Sequence, residues 1–225
     1  PFLNSTSIME LEIVPEHLLV LGGGYVGLEF AQLFRRLGSR VSIVQSGPQL
    51  LTREDSDVAA EVAAILRQDG IEILLSAQAE NIANSSGAGI ALTVRQSQDS
   101  RVLAGSHLLV AAGRTPNTPT LSLSAAQIET NPHGFIKVNS RLQTTAENIF
   151  AIGDITGGPQ FTHISYDDFR ILRTNLLEKG NATTDTRLIP YTVYIDPQLG
   201  RIGVTETEAR TQNKKFRIAK MPMTS

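Results

Sequence analysis

The apolar positions change period along the chain, and each change predicts an element. Leu18–Leu21 is an unbroken apolar run, and His17–Leu21 reads as a strand buried on both faces. Leu28, Ala31, Leu33 and Phe34 then recur at helical spacing. They predict a helix over Gly27–Leu37, with Gly38 as its left-handed stop. Val41–Val44 reads as a second strand. Asp55 or Ser56 is placed to cap a second helix that carries Val58, Val62, Ala63 and Leu66 on one face and ends at Gly70. Ile71–Leu75 is a third strand, completing a βαβαβ run with right-handed crossovers. Before it, Pro1–Pro15 is a lead-in containing a short helix, Thr6–Leu11, capped by Ser5 or Thr6.

The texture then shortens. Ala77–Ile82, Ile90–Gln96 and Arg101–Leu103 alternate as short strands, with turns at Ser85–Gly89 and Gln98–Ser100. They predict an antiparallel layer covering the sheet. His107–Ala112 is another buried strand and runs into Gly113-Arg114-Thr115-Pro116-Asn117. Polar connections follow over Thr118–Asn131, then a hairpin near Phe135–Val138. An apolar strand at Asn148–Ile152 ends in Gly153-Asp154. Ser165–Leu177 reads as a helix and Asn181–Thr186 as a linker. Ile189–Ile195 reads as a strand. Ile202–Val204 with Thr205–Arg210 reads as strand then helix, and Phe216–Met221 as a last strand.

The turn after the first strand carries the sharpest chemistry. Gly22, Gly24 and Gly27 form G-x-G-x-x-G between an apolar run and a helical pattern. In such a loop the first glycine allows the tight turn. The second admits a pyrophosphate to the backbone, and the third lets the helix pack on the strand. The helix N-terminus offers unpaired N–H groups and a positive dipole end. With Tyr25 and Val26, these glycines are the candidate pyrophosphate cradle of a dinucleotide.

Composition narrows the classes. The 225 residues are 41% apolar with a net charge of −2, so no nucleic-acid or polybasic membrane face is expected. No apolar stretch approaches the ~20 residues of a membrane span. With no signal peptide visible, a cytoplasmic location is expected. Pro1 in place of an initiator methionine predicts a piece of a longer chain. The absence of cysteine excludes thiol chemistry within these residues. His17, His107, His133 and His163 have no metal-ligand spacing, so no metal site is expected.

Four stretches in order resemble the pyridine nucleotide-disulfide oxidoreductases, the flavoenzymes that include glutathione reductase, dihydrolipoamide dehydrogenase and mercuric reductase. They are Gly22–Glu29, Val110–Asn117, Asn148–Asp154, and Ile189–Pro197 followed by Gly203. Thr52–Asp55, Gly113–Thr118 and Pro159–Phe161 are similar to the mercuric reductase branch. The resemblance implies an α/β fold: a Rossmann-like NAD(P)-binding domain, with a parallel sheet and an antiparallel β layer, joined to part of an FAD-binding domain and the start of an α+β dimerisation domain. The implied layout is a lead-in over residues 1–14, NAD(P) binding over 15–124, FAD binding over 125–183 and dimerisation over 184–225. It also implies that a first FAD segment carrying the redox cysteines precedes Pro1, and that a catalytic His-Glu pair follows Ser225. The implied reaction passes hydride from NAD(P)H to FAD and on to a disulfide or metal-thiolate small-molecule acceptor, in a homodimer. The piece alone is expected to be inactive, with no catalytic residue of its own.

Roles divide between residue chemistry and resemblance. By resemblance, Tyr25 gates the flavin against nicotinamide; as a bare residue it can equally pack on the helix. Glu29 reads as a first-turn carboxylate favoured by the dipole, while the resemblance adds a contact to nicotinamide. Gln45 and Ser46 end the second strand, where an acid would select NAD and arginine NADP. Neutral Gln45, with Arg53 in the loop beyond, tilts the reading slightly to NADPH. Gly113 permits close backbone approach, and Arg114 reaches either a phosphate or carboxylate ligand or a salt-bridge partner. By resemblance, Gly153 and Asp154 form the turn whose carboxylate takes the ribityl hydroxyls of FAD. Gln160, Phe161, Thr162 and His163 lie at a helix start, whose N–H groups the resemblance sets against negative charge on the flavin. Thr192 offers its carbonyl to the nicotinamide amide by resemblance alone. Two other readings stay open: a stand-alone NAD-binding regulatory module and a flavin-independent dehydrogenase.

Overall fold

The computed structural model describes residues 2–85 and 89–222. Among the described residues, nine strands and four α-helices run in the order β1 His17–Leu21, α1 Tyr25–Arg36, β2 Arg40–Val44, α2 Ser56–Gln68, β3 Glu72–Leu74, β4 Ala77–Ser85, β5 Gly89–Gln96, β6 Asp99–Gly105, β7 His107–Val110, α3 Thr162–Leu176, β8 Tyr191–Val193, β9 Leu199–Arg201 and α4 Glu206–Thr211. The chain divides into two compact units. One holds Pro1–Gly113, Thr192–Leu199 and Val204–Ser225; the other holds Arg114–Tyr191 and Gly200–Gly203.

In the first unit, a four-stranded parallel sheet has the order β3-β2-β1-β7. Leu18, Leu19 and Val20 are all buried, because β1 is covered on both faces. That is why its sequence is apolar without alternation. On one face, Leu19, Val44, Leu74 and Leu108 pack with Ile90, Leu92, Val94 and Leu103 of the antiparallel sheet β4-β5-β6. The predicted antiparallel layer is therefore present. The expected turn at Ser85–Gly89 lies mostly outside the described residues. The next turn falls on Ser97 and Gln98 rather than Gln98–Ser100, with Ser97 at φ +57. On the other sheet face lies α1, whose Gly27 backs onto Val20.

Several local readings are corrected. Thr6–Leu11 is only a 3-10 turn, Ser7–Glu10, and the Asn4 side chain rather than Ser5 or Thr6 accepts the N–H groups of Thr6 and Ser7. Asp55 sits at the N-cap position of α2 but makes no side-chain cap there. Its carboxylate instead accepts the Glu206 N–H at 2.8 Å and the Thr207 N–H at 2.9 Å, capping α4 from a distance. Thr205 and Glu208 complete the same end as a capping box. Phe216–Met221 forms no strand. Lys220 in that stretch pairs with Asp57 and Glu206.

Burial alone would push the Asp55 carboxyl up. The Thr207 hydroxyl, the N–H groups of Thr207 and Glu206, and Lys220 outweigh it and hold the group below its ordinary 3.8. A depressed carboxylate stabilises the fold fully above its unfolded value and loses that contribution as pH falls through the lower folded value. Protection of the Glu206 and Thr207 amides from hydrogen exchange, taken relative to the intrinsic rate at each pH, should therefore be lost only below pH 3.8. In Asp55→Ala it should already be lost at neutral pH.

The second unit has little regular structure beyond α3. Ile136, Leu142, Ala151, Ile164 and Ile171 are its buried apolar residues. The expected hairpin at Phe135–Val138 reduces to one bridge, Thr130↔Ile136. The expected strand Asn148–Ile152 likewise reduces to Gln143↔Phe150. An apolar run becomes a strand only where a continuous ladder partners its backbone, and Asn148 already turns away at φ +62.

Candidate functional site

The glycine loop leaves β1 and enters α1 with each glycine required for a different reason. Gly22 adopts φ +114, and a Cβ there would lie 2.5 Å from the Ala111 carbonyl oxygen. At Gly27 a Cβ would lie 2.2 Å from the Gly22 carbonyl oxygen, so helix and turn touch backbone to backbone. Gly24 is the opposite case. It is the extended N-cap of α1 (φ −83, ψ 173), no side chain caps this helix end, and a Cβ would meet nothing within 4 Å. The loop is thus tight on its protein side and open where the first-turn amides of Tyr25, Val26 and Gly27 begin. A pyrophosphate needs that shape.

The loop is braced from below. Gly22 N–H donates to the Val44 carbonyl at 2.9 Å, and Leu51 N–H donates to the Gly23 carbonyl at 2.9 Å. Gly23 N–H donates to Gln45 Oε1 at 2.8 Å. Gln45, at the strand end read for cofactor choice, therefore holds the glycine loop with its side-chain oxygen. Ser46 beside it is exposed, as is Arg53 on the following loop. Gly113 ends this unit at φ +147 with open space around its Cα.

Glu29 is corrected. The helix begins at Tyr25, earlier than predicted, so Glu29 falls in the second turn, beyond the reach of the end dipole. Its Oε1 accepts the Tyr194 N–H at 2.8 Å. This contact brings the segment holding Thr192 to α1. Gln32, buried among the same contacts, both donates to the Asp196 carbonyl (2.9 Å) and accepts its N–H (2.7 Å).

In the second unit, the predicted Gly153 and Asp154 form a 3-10 turn, with Gly153 at φ +73. Arg114 and Asp154, predicted separately, are brought together: Nη1 donates to Oδ2 at 2.8 Å, and both side chains are about half exposed. The helix α3 begins at Thr162, three residues before its predicted start, and no side chain caps it. Phe161 stacks on His163 (centroids 5.5 Å) and on Tyr191 (5.2 Å), which fixes the entry to the helix after Gln160. His163 Nε2 donates to the Pro190 carbonyl at 2.7 Å, so the ring is tied to the backbone. The N–H groups at this uncapped end suit an anionic ligand edge.

Asp168 and Arg187 escaped the sequence reading. Asp168 Oδ2 accepts the Gly153 N–H at 2.8 Å, and Asp168 Oδ1 pairs with Arg187. The available signal was positional: Asp168 lies between Ile164 and Ile171 on the buried stripe of α3. A charge on an apolar stripe marks a paired group. Among the described residues, no group of three or more His, Cys, Asp or Glu is placed to hold a metal ion.

Residues 1–168 match the pyridine nucleotide-disulphide oxidoreductase family. The chain is 42% identical over 221 residues to the probable pyridine nucleotide-disulfide oxidoreductase RclA of Escherichia coli, covering 98% of this chain and 49% of that protein. It is 34% identical over 223 residues to a mercuric reductase of Lysinibacillus sphaericus, covering 99% and 40%. Among solved structures, it is similar to a Cu(II) complex of the HOCl-induced flavoprotein disulfide reductase RclA from Escherichia coli (TM-score 0.86, 43% identity, 93% of this chain and 48% of that one). It is also similar to LpdA from Mycobacterium tuberculosis (TM-score 0.84, 28% identity, 93% and 45%). The chain spans about half the length of the relatives it matches.

Proposed function

The chain belongs to the pyridine nucleotide-disulphide oxidoreductase family, and on that premise we propose that it supplies the nucleotide site and part of the flavin site of an NAD(P)H-dependent flavoenzyme. Bound there, the nicotinamide would supply a hydride and FAD would supply the redox relay to a small-molecule disulfide or metal-thiolate acceptor. The observation that carries the reading is the contrast within the glycine loop: no room for a side chain at Gly22 and Gly27, open space at Gly24. A turn built only for packing has no use for that opening.

In this reading, residues 15–124 bind NAD(P), 125–183 contribute to FAD binding and 184–225 open a dimerisation domain. The amides at Tyr25, Val26 and Gly27 hold the pyrophosphate, and Tyr25 serves as the gate. Thr192 offers its carbonyl to the nicotinamide amide, with Glu29 supporting the segment through Tyr194. Gly113 lets the nucleotide approach the backbone. Asp154 accepts hydrogen bonds from ribityl hydroxyls, and Arg114 orients its carboxylate. The amides of Thr162 and His163, after Gln160 and Phe161, face the electron-rich edge of the flavin. The whole protein is read as a cytoplasmic homodimer. No helix among the described residues is long and apolar enough to cross a membrane.

Anaerobic titration of the whole, FAD-loaded protein with NADPH should bleach the flavin absorbance. Asp154→Ala should lose FAD while keeping NADPH binding. An Asp154→Ala protein that retains flavin normally would favour the reading of this chain as a nucleotide-binding module with no role in holding the flavin.

Cofactor preference rests on Gln45, Ser46 and Arg53, with NADPH favoured. Gln45→Glu keeps an acceptor for the Gly23 N–H but adds a negative charge near the ribose position. It should lower NADPH affinity about tenfold or more while sparing NADH. Equal loss for both nucleotides in fluorescence titrations would remove Gln45 from the selection.

A further inference from the structure

Asp168 is 2% exposed, on the stripe of α3 otherwise made of Ile164 and Ile171. A buried carboxylate is costly unless both oxygens are satisfied. Here Oδ2 takes the Gly153 N–H at 2.8 Å, while Oδ1 pairs with the Arg187 guanidinium. The Nε of Arg187 lies 3.0 Å from Asp167 Oδ2, so one guanidinium spans two neighbouring carboxylates of the helix. Gly153 also backs onto α3 sterically, since a Cβ there would lie 2.9 Å from Ser165 Oγ. The next residue is Asp154, whose carboxylate stands about half exposed on the turn.

We infer that Asp168 and Arg187 are positioning residues for the flavin half-site: through the Gly153 N–H they fix the turn that aims the Asp154 carboxylate at the ribityl chain. The inference rests on the flavin reading of Asp154. A hydrophobic residue at position 168 would pack α3 equally well and would leave the Gly153 N–H without its acceptor. The charge is therefore placed for the turn, and Arg187 is what makes that charge tolerable in the interior.

The test uses the whole protein loaded with FAD. Asp168→Asn cannot serve both partners, because an amide that accepts from Gly153 turns its NH2 toward Arg187. Its FAD dissociation constant should rise about tenfold or more, with NADPH affinity unchanged. The double variant Asp168→Asn/Arg187→Met removes the conflicting donor and leaves the Asn carbonyl free for Gly153. It should recover FAD affinity to within about threefold of wild type. A packing role alone predicts no such rescue. If Asp168→Asn fails to fold, Arg187→Lys reads the same quantity: the charge stays but cannot fork two carboxylates, and FAD affinity should fall. Variants that bind FAD as wild type does, or a double variant no better than the single, overturn the inference. A wild-type protein that takes up no FAD overturns the flavin reading itself.

Discussion

Gly24→Asp should leave the protein as stable as wild type or slightly more so, and should abolish most of its nucleotide affinity. Position 24 is the extended N-cap of α1 with nothing within 4 Å of a Cβ. Asp is among the best N-cap residues and its charge suits the helix dipole. The same charge opposes a pyrophosphate at contact distance, a repulsion of about 4 kcal/mol at an effective dielectric near 20, so affinity should fall about a hundredfold or more. Gly27→Ala should behave differently. Its methyl would stand 2.2 Å from the Gly22 carbonyl oxygen, a backbone atom that cannot swing aside. Helix α1 must shift, at about 1–3 kcal/mol or more for the overpacking, and the phosphate amides shift with it. Thermal melts beside NADPH titrations separate the two. If Gly24→Asp binds NADPH normally, the opening is not the phosphate site.

Leu92→Ala should cost about 2–5 kcal/mol. Leu92 is 0% exposed and sits where β5 packs on the parallel sheet, among Leu19, Val94 and Leu108. Deleting its branched end leaves a cavity between two sheets whose backbones are held by ladders, so collapse is limited. Ile82→Ala on β4 removes a comparable side chain that is 51% exposed and should change stability by no more than about 0.5 kcal/mol. Denaturant midpoints for the two proteins check the contrast. Equal effects would mean that the antiparallel layer does not stabilise the sheet it covers.

The βαβαβ run, the glycine loop and the antiparallel layer were legible because each is written in short-range signals. Periodicity marks what is buried, and Gly38 and Gly70, both at positive φ, mark helix ends within a turn of the true ones. Failures cluster where an element depends on a remote partner. Asn148–Ile152 has the composition of a strand, but its neighbours give it one bridge instead of a ladder. Asp55 has the identity and place of an N-cap, yet the N–H groups it satisfies belong to a helix about 150 residues later.

The candidate site divides in the same way. The amino-acid order by itself determined where the loop after β1 admits no side chain, because only glycine fits the turn at Gly22 and the contact at Gly27, and those limits are steric and local. It also placed Gly153-Asp154 at the end of an apolar run, but set the following helix at Ser165, three residues after its true start. Tertiary structure alone decided what the polar side chains do. Gln45 reaches back to Gly23, Glu29 takes Tyr194, Arg114 takes Asp154, and Asp168 joins Gly153 to Arg187. A side-chain donor or acceptor binds whatever folding brings within 3 Å or so, and that neighbour is chosen by the packing of whole elements rather than by adjacent residues.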